Sequence, residues 1–261
     1  MSPPPTADVQ SRCALLRSLH TAGTPLLLPN AWDVATASAV VAAGFPVVAT
    51  TSRSVAATLG YEDHEGAPAG EMLAAAARIA RGVAVPVTVD AEAGYGMDPA
   101  ALVAALRDAG AAGCNLEDTD HATDHLRDPD RHAEWLGAVR RAASDDGYPL
   151  VINARVDTFL APYFAGAEPG SQKALVPDAV RRANAYVEAG ADCVYPIGLW
   201  EPDALRAFVG AAGGPVNVLR LPETPALGEL AALGVARVSW ASLLHADAMA
   251  RFEQQLGAIR V

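Results

Sequence analysis

The chain has few cysteines, no surplus of basic residues and no long hydrophobic run. Cys13, Cys114 and Cys193 lack Cys-x-x-Cys spacing, so they indicate neither a zinc site nor a disulfide framework. Their odd number is typical of a reducing cytoplasm. With 19 Lys and Arg against 30 Asp and Glu, the net charge is −11. This charge disfavours nucleic acid and anionic membranes as partners, because no basic surplus exists to neutralise phosphates.

Further absences narrow the choice of fold and compartment. No apolar run reaches the roughly 18 residues that a membrane span needs, and the Pro-rich residues 1–8 lack the basic-then-apolar pattern of a signal peptide. No Gly-x-Gly-x-x-Gly motif follows the first predicted strand, which disfavours a dinucleotide-binding sheet. We therefore expect a soluble cytoplasmic protein without a membrane partner, with residues 1–7 flexible.

What is present is a regular alternation of strands and helices along 261 residues, of which 51% are hydrophobic. Helix-like stretches end at Gly44, Gly110, Gly190 and Gly234, where glycine permits a left-handed cap, and a short β-branched run follows each. Asp33 is a predicted helix cap, and an acidic residue precedes proline at three other predicted helix starts. These three pairs are Asp98-Pro99, Asp128-Pro129 and Glu201-Pro202.

The alternation predicts one (β/α)₈ barrel of the TIM type over residues 1–261, preceded by an extra helix at 8–20. Strict β-then-α order implies a parallel sheet, and eight units favour closure into a barrel. The connections at 118–130 and 158–175 are long, and long loops on one face of a barrel are usually functional. The predicted strands are 26–29, 47–50, 85–90, 113–117, 150–155, 193–196, 216–219 and 237–240.

Acidic side chains end the third and fourth predicted strands, on the face where barrel active sites lie. Asp90 and Glu92 are two residues apart on a segment taken as extended, so we expect their side chains to point the same way. Glu117 comes from the adjacent strand. Three converging carboxylates repel one another, and Mg²⁺ prefers oxygen ligands. We therefore predict a Mg²⁺ site, the alternative being that these acids cap helices or pair with surface cations.

Two further features lie at the same strand ends. Arg155 could hold a substrate carboxylate or phosphoryl group, or it could form a structural ion pair with Asp157 or Glu117. Gly94-Tyr95-Gly96 permits backbone to approach a ligand closely, but it could equally be an ordinary turn.

The motifs at these strand ends resemble those of the isocitrate lyase/phosphoenolpyruvate mutase superfamily, specifically its small single-domain members. The resemblance runs from about residue 26 to 245. The string Asp-x-[Asp/Glu]-x-Gly-Tyr-Gly followed by Leu-Glu-Asp is specific to it. The matching segments are Pro29-Asn30-Ala31-Trp32-Asp33, Ala49-Thr50-Thr51-Ser52, Leu59-Gly60-Tyr61-Glu62-Asp63, Val89-Asp90-Ala91-Glu92-Ala93-Gly94-Tyr95-Gly96, Asn115-Leu116-Glu117-Asp118 and Asn153-Ala154-Arg155-Val156-Asp157.

This resemblance implies a barrel whose eighth helix is often swapped between partners in dimers or tetramers. It implies Mg²⁺ at Asp90, with Mn²⁺ as a substitute, and a fourth loop that closes as a lid. Arg155 would face the carboxylate or phosphonate end of the substrate. The carboxylates that would hold the metal's waters are Asp63, Glu92 and Glu117. The residues whose backbone would receive a substrate carboxylate are Thr51, Ser52 and Arg53.

Two departures from the superfamily pattern restrict the chemistry. Lyases that cleave isocitrate or methylisocitrate carry Lys-Lys-Cys-Gly-His in a lid loop, and this chain has no such string. Cys114 lies inside a predicted strand, so we do not expect those cleavages. Phosphonopyruvate mutases carry an Asn in a Thr-Asn-Ser lid segment, whereas residues 118–128 carry acids there, a poor setting for a phosphoryl group.

We therefore predict a Mg²⁺-dependent lyase that cleaves a C–C bond of a small anionic 2-oxo or 2-hydroxy acid through an enolate, in the manner of an oxaloacetate decarboxylase or an alkylmalate lyase. Arg155 and Glu117 would be catalytic, with Asp124 or His121 on the lid as the base, although solvated loop histidines are the simpler interpretation of His121 and His125. Alternatives are P–C chemistry, a non-catalytic oxo-acid-binding barrel, and a purely assembling role for helix 243–256. Further predicted substrate contacts are Trp32, Gly94, Tyr95, Gly96 and Asn217.

Overall fold

The computed structural model describes residues 6–166, 168 and 170–259 and confirms the predicted barrel. Residues 1–5 lie outside the described residues, and Thr6 and Ala7 begin the first helix. The flexibility predicted for residues 1–7 stays a prediction. The strands are β1 (Leu26–Leu28), β2 (Asn30–Ala31), β3 (Val48–Thr50), β4 (Val87–Asp90), β5 (Gly113–Leu116), β6 (Thr119–Asp120), β7 (His125–Leu126), β8 (Val151–Val156), β9 (Cys193–Pro196), β10 (Asn217–Leu219) and β11 (Arg237–Ser239).

Eleven α-helices cover the barrel and its rim in the described part of the chain. They are α1 (Thr6–Ser18), α2 (Val34–Ala42), α3 (Ser52–Leu59), α4 (Ala69–Gly82), α5 (Pro99–Ala109), α6 (Pro129–Asp145), α7 (Leu160–Phe164), α8 (Val176–Glu188), α9 (Pro202–Ala211), α10 (Leu227–Ala232) and α11 (Leu243–Ile259). None of them is both long and apolar enough to cross a membrane.

The ring of parallel strands closes through two joints. One run pairs in the order β2-β3-β4-β5-β8-β9, and the other pairs in the order β1-β11-β10. A parallel bridge between Val194 and Val216 joins β9 to β10. Only Pro29 separates β1 from β2, and proline interrupts a strand because it has no N–H for the ladder. The first predicted strand is therefore a single barrel strand in two pieces.

The predicted strand ends shift by one or two residues for local reasons. Pro86 precedes β4, so the strand begins after it rather than at Val85. The backbone N–H of Trp240 donates to the side chain of Asn30 at 2.8 Å instead of continuing β11. These shifts leave every predicted strand in place.

The predicted helix signals are confirmed with one exception. Asp33, Asp98 and Asp128 accept backbone N–H groups at helix starts, and the four predicted end glycines all have φ between 77° and 107°. Glu201 makes no cap hydrogen bond for α9. Its carboxylate instead accepts the N–H of Gly170 at 2.6 Å, because the long connection after β8 folds back over this helix start.

Helix α11 is the longest helix of the described chain, with α6, and none of its 17 residues is buried. Phe252, Leu256 and Ile259 are exposed along it. Its first turn reaches the barrel mouth, where the rings of His245 and Trp32 lie 4.9 Å apart.

Candidate active site

A cavity of about 500 Å³ opens at the carboxyl ends of the barrel strands. Its walls are of two kinds, which we call the polar half and the apolar half. The polar half comprises Thr51, Ser52, Arg53, Asp63, His64, Asp90, Glu117 and Arg155. The apolar half is mainly hydrophobic, with the hydroxyls of Tyr163 and Ser242 as its polar groups. It comprises Leu160, Tyr163, Phe164, Ile197, Leu219, Leu221, Ala241, Ser242 and Leu243.

Asp90 is the last residue of β4 and is anchored from three sides. Its Oδ2 accepts the backbone N–H of Ser52, the first residue of α3, at 2.9 Å. Its Oδ1 lies 3.5 Å from the amide nitrogen of Asn115, and its own N–H donates to Thr50 Oγ1 at 2.9 Å. These contacts fix the Asp90 carboxylate in position at the N-terminus of α3, where it lines the cavity.

Glu92 reaches the same region by a different route from the one predicted. The strand ends at Asp90, and Glu92 has φ of 48°, so the expected extended geometry is wrong. The turn brings the Glu92 carboxylate to the N–H of Glu65, which donates to it at 2.7 Å. The pKa of Glu92 is raised to about 7, mainly by burial and also by the charges of Asp90, Glu117 and Asp63, although the hydrogen bond from Glu65 opposes the shift.

These carboxylates fit a hydrated cation better than a closely coordinated one. In the described part of the chain, no three His, Cys, Asp or Glu side chains converge closely enough to hold a metal ion directly. However, Asp63 Oδ1 is buried with no hydrogen-bond partner, and the acids lie close enough to raise the pKa of Glu92. A cation ligated by Asp90, with other carboxylates on its waters, would satisfy this set.

Arg155 forms the structural ion pairs that the sequence left open. Its Nε and Nη2 donate to the two carboxylate oxygens of Asp157 at 2.6 and 2.8 Å, and its Nη1 contacts Glu117. Arg155 nevertheless lines the cavity. Burial raises the pKa of Glu117, and Arg155 opposes that shift. The guanidinium is therefore fixed in direction and still faces the space where a substrate would lie.

The sequence analysis missed a buried hydrogen-bond network beneath this ion pair, which we call the clamp and which consists of Asp118, Tyr186 and Arg182. Asp118 Oδ1 accepts the N–H of Asp157 at 2.9 Å. Its Oδ2 accepts the hydroxyl of Tyr186 at 2.7 Å and Nη1 of Arg182 at 3.2 Å. Both partners lie on α8, far along the chain. Only the amphipathic pattern of that helix was visible in the sequence, and it does not show which polar side chain turns inward.

The predicted lid is a short hairpin of β6 and β7 that folds over the polar half. His121 lies between these strands; its Nε2 is hydrogen-bonded to Glu117, and its ring stacks on that of His64 with centroids 5.1 Å apart. Burial lowers the pKa of His121, but the hydrogen bond and charge of Glu117 outweigh it and raise the pKa overall. Asp124 and His125 are exposed. The structure thus brings one of the two proposed bases to the site.

The predicted substrate contacts divide into two groups. Thr51, Ser52 and Arg53 line the cavity as predicted. The other five are not among the described residues that line it, namely Trp32, Gly94, Tyr95, Gly96 and Asn217.

Packing explains several of these positions. Gly94 has φ of 91°, and a Cβ there would lie 2.8 Å from the Trp135 ring, so this glycine serves a close contact with α6. Asn217 begins β10 and is buried below the mouth, where its amide donates to Ser239 Oγ at 3.2 Å. Tyr95 packs against the cluster that contains Val55 and Met72 instead of lining the cavity, and burial raises its pKa well above the usual value.

Several known proteins are similar to this chain in sequence and fold. An uncharacterized protein of Mycobacterium tuberculosis (strain ATCC 25618 / H37Rv), Rv1998c, is 36% identical over 86% of this chain and 81% of its own. "Probable 2-methylisocitrate lyase 2" of Corynebacterium glutamicum is 32% identical over 94% of this chain and 79% of its own. The crystal structure of "a putative phosphonomutase from Burkholderia cenocepacia J2315" superposes with a TM-score of 0.87 at 41% identity, covering 95% of this chain and 99% of that one.

A more distant structure shares the fold alone. Phosphonopyruvate hydrolase in complex with oxalate and Mg²⁺ superposes with a TM-score of 0.80 at 23% identity, over 95% of this chain and 87% of that one. The family model described as phosphoenolpyruvate phosphomutase matches residues 16–260. The chain therefore belongs to the phosphoenolpyruvate phosphomutase family, within the superfamily of isocitrate lyase-type lyases and mutases.

Proposed function

We propose that the protein is a Mg²⁺-dependent lyase that cleaves a C–C bond of a 2-oxo or 2-hydroxy carboxylic acid. The observation that carries this proposal is the polar half of the cavity, where an anchored aspartate and a paired arginine face one space. A 2-oxo or 2-hydroxy acid presents a carboxylate and an adjacent oxygen, which together suit a cation and a guanidinium.

Asp90 would hold the metal directly, and the surrounding carboxylates would hold its waters. When bound, Mg²⁺ would supply Lewis-acid stabilisation of negative charge on the substrate oxygens. The superfamily relative that was crystallised with oxalate and Mg²⁺ supports this expectation. Mn²⁺ should substitute, because it also prefers oxygen ligands. The proposed water-holding residues are Asp63, Glu92 and Glu117.

Substrate binding, enolate stabilisation and proton transfer would be carried out by side chains of this chain. Arg155, held by Asp157, would bind the substrate carboxylate and stabilise the enolate that follows bond cleavage. In cleavage of a 2-hydroxy acid, a base takes the hydroxyl proton, the C2–C3 bond breaks as C2 becomes a carbonyl, and C3 receives a proton. We assign the proton transfer to the hydrogen-bonded pair of His121 and Glu117, because Asp124 is exposed.

Three features favour C–C over P–C chemistry. A phosphonate carries more negative charge than a carboxylate, yet the only cationic guanidinium buried in the described cavity wall is that of Arg155, already paired with two acids. The other wall is apolar. The lid hairpin carries Asp120 and Asp124. Cleavage of methylisocitrate is not proposed, because the chain lacks the Lys-Lys-Cys-Gly-His string and Cys114 is buried within β5.

We also propose that the protein is a cytoplasmic homo-oligomer, a dimer or a tetramer, in which α11 packs on a partner. The support is that no residue of this helix is buried in the single chain. Light scattering should give two or four times the mass of 26.9 kDa. A monomer at working concentration would contradict this.

The reaction is tested by incubating the purified full chain with Mg²⁺ and a panel of oxaloacetate, alkylated malates and phosphonopyruvate. We expect a 2-oxo acid or carbon dioxide from one of the first two classes. Chelation with EDTA should abolish the activity, and Mg²⁺ or Mn²⁺ should restore it. Rearrangement of phosphonopyruvate alone would make the protein a mutase, and binding without turnover would make it a non-catalytic barrel.

A further inference from the structure

The apolar half of the cavity has no role in the reaction proposed above. Ile197 follows β9, Leu219 ends β10 and Leu221 follows it, each no more than 7% exposed. Asp90 ends β4, three strands away from β9 in the sheet order, whereas Arg155 lies on β8 directly beside β9. We propose that the substrate bears an apolar substituent of about four or more carbons at C3, which packs against this wall. This inference rests on the proposed lyase function.

The wall is built into the fold rather than left by loose packing. Ile197, Leu219 and Leu221 form one cluster with Tyr195, and Leu160 packs against it. Because these apolar side chains are already packed in the free protein, the binding surface is preformed, which lowers the entropic cost of binding.

The arginine that follows β10 does not point into the apolar half of the cavity. Arg220 immediately follows β10, but its Nη1 donates to the carbonyl oxygens of Leu221 and Thr224, the latter at 2.9 Å. Its guanidinium is thus held by backbone, and Arg220 is not among the described residues lining the cavity. A second carboxylate or a phosphoryl group placed here would lose its hydration without a partner.

The cavity volume also exceeds what a small acid needs. The volume of about 500 Å³ falls in the range of sites for drug-sized ligands, roughly 300–1,000 Å³. A four-carbon diacid replaces about four waters, or roughly 120 Å³ at about 30 Å³ each. The cavity space that such a diacid leaves empty is lined mostly by apolar side chains. An alkyl or aryl group would therefore gain the most binding free energy there.

Calorimetry with non-reacting diacids tests this without turnover. In the presence of Mg²⁺, butylmalonate should bind about 250-fold more tightly than malonate, at about fourfold for each of the four carbons of the butyl group. Benzylmalonate should bind at least as tightly as butylmalonate. If malonate binds and butylmalonate binds no more tightly, this inference is wrong and the lyase proposal stands. If none of the three binds, both proposals fail.

A pair of variants locates the effect. Leu221→Phe should reduce the butylmalonate-to-malonate affinity ratio at least about tenfold, because the larger ring fills the space. Leu221→Ala should shift the preference toward benzylmalonate. The matched control is Leu15→Phe on α1, which is 46% exposed and outside the cavity lining. Near-UV circular dichroism checks that each variant is folded, and an unchanged ratio in both Leu221 variants would contradict the inference.

The same preference should appear in turnover. Among 3-alkylmalates, cleavage between C2 and C3 gives glyoxylate and a longer carboxylic acid for every member, so one assay covers the series. We expect kcat/KM to rise by about fourfold per methylene from malate to 3-butylmalate. Turnover that is highest for malate would overturn the inference and leave the lyase function intact.

Discussion

The polar and apolar halves of the barrel mouth are built on the same scaffold but held together differently. In the polar half, charged side chains are fixed by hydrogen bonds that run between elements, as Asp90 is by the N-terminus of α3. In the apolar half, the side chains of Ile197 and Leu221 have no polar atoms and are held by packing against one cluster. Hydrogen-bonded charges are costly to disturb when buried, so substitutions in the polar half should have the larger effects.

The largest effect is expected for Asp90→Ala. Loss of the proposed metal ligand should reduce Mg²⁺-dependent turnover by about 1,000-fold or more and abolish Mn²⁺ binding measured by electron paramagnetic resonance. The thermal midpoint should fall only modestly, because the hydrogen bond lost from Ser52 is partly offset by the relief of repulsion with Glu92. Full Mg²⁺-dependent activity in the variant would remove Asp90 from the site.

The next effect distinguishes the two lid residues. His121→Ala should lower kcat by about 100-fold or more, the usual contribution of a general acid or base, whereas Asp124→Ala should stay within about twofold. His121 contacts Glu117, and Asp124 is exposed. Steady-state kinetics on the same substrate would decide, and a reversed order of the two variants would assign the proton transfer to the aspartate.

Arg155→Ala should affect both catalysis and stability. Loss of an anion contact should reduce transition-state stabilisation by about 2–5 kcal/mol, and kcat/KM should fall accordingly. Because Glu117 and Asp157 would lose their cation, the free energy of unfolding should fall by about 3–5 kcal/mol. Urea denaturation and kinetics measure the two separately. Lost stability with unchanged kinetics would make the arginine purely structural.

Tyr186→Phe tests the clamp beneath the polar half. The hydroxyl donates to the buried carboxylate of Asp118, and losing a hydrogen bond to a charged group should cost about 1.5–3 kcal/mol of unfolding free energy. The matched control is Tyr61→Phe, whose hydroxyl bonds Glu71 at the surface. Equal losses in the two variants would show that the clamp adds no stability.

The smallest effect concerns pH. Burial lowers the pKa of His132, which packs against Tyr186, from 6.5 to about 3. Between these pH values the unfolded chain binds a proton that the folded protein does not, so stability falls as pH drops below 6.5. His132→Phe should reduce the slope of unfolding free energy against pH by up to about 1.4 kcal/mol per unit. The exposed-residue control, His125→Gln, should keep the wild-type slope.

The barrel itself was predictable because local signals repeat along the chain. The end glycines, the acidic caps and the eight apolar runs each depend on neighbouring residues, and all eight strands were found within two residues of their ends. Glu201 was predicted to cap a helix, but its carboxylate accepts a hydrogen bond from the distant Gly170. The first strand was predicted to include Pro29, but it ends at Leu28 because proline has no N–H for the ladder.

The acids and the arginine of the site could be named in advance, because residues at strand ends face the mouth of a barrel. Their mutual contacts could not. Glu92 is not in an extended conformation, and Arg155 forms ion pairs with neighbouring acids. Asp118 accepts a hydrogen bond from Tyr186, which lies 68 residues away in the chain. Hydrogen bonds between segments so far apart leave no periodic trace in the chain.

The sequence by itself determined the barrel, the family and the set of acids at one end of it, because periodicity and short motifs are local properties. Only the tertiary structure decided which lid residue meets Glu117, which cations are already paired, and that the mouth has an apolar half. These depend on distances between elements, and side chains such as Ile197 and Leu221 acquire a binding role only when folding brings them to the same cavity as Asp90.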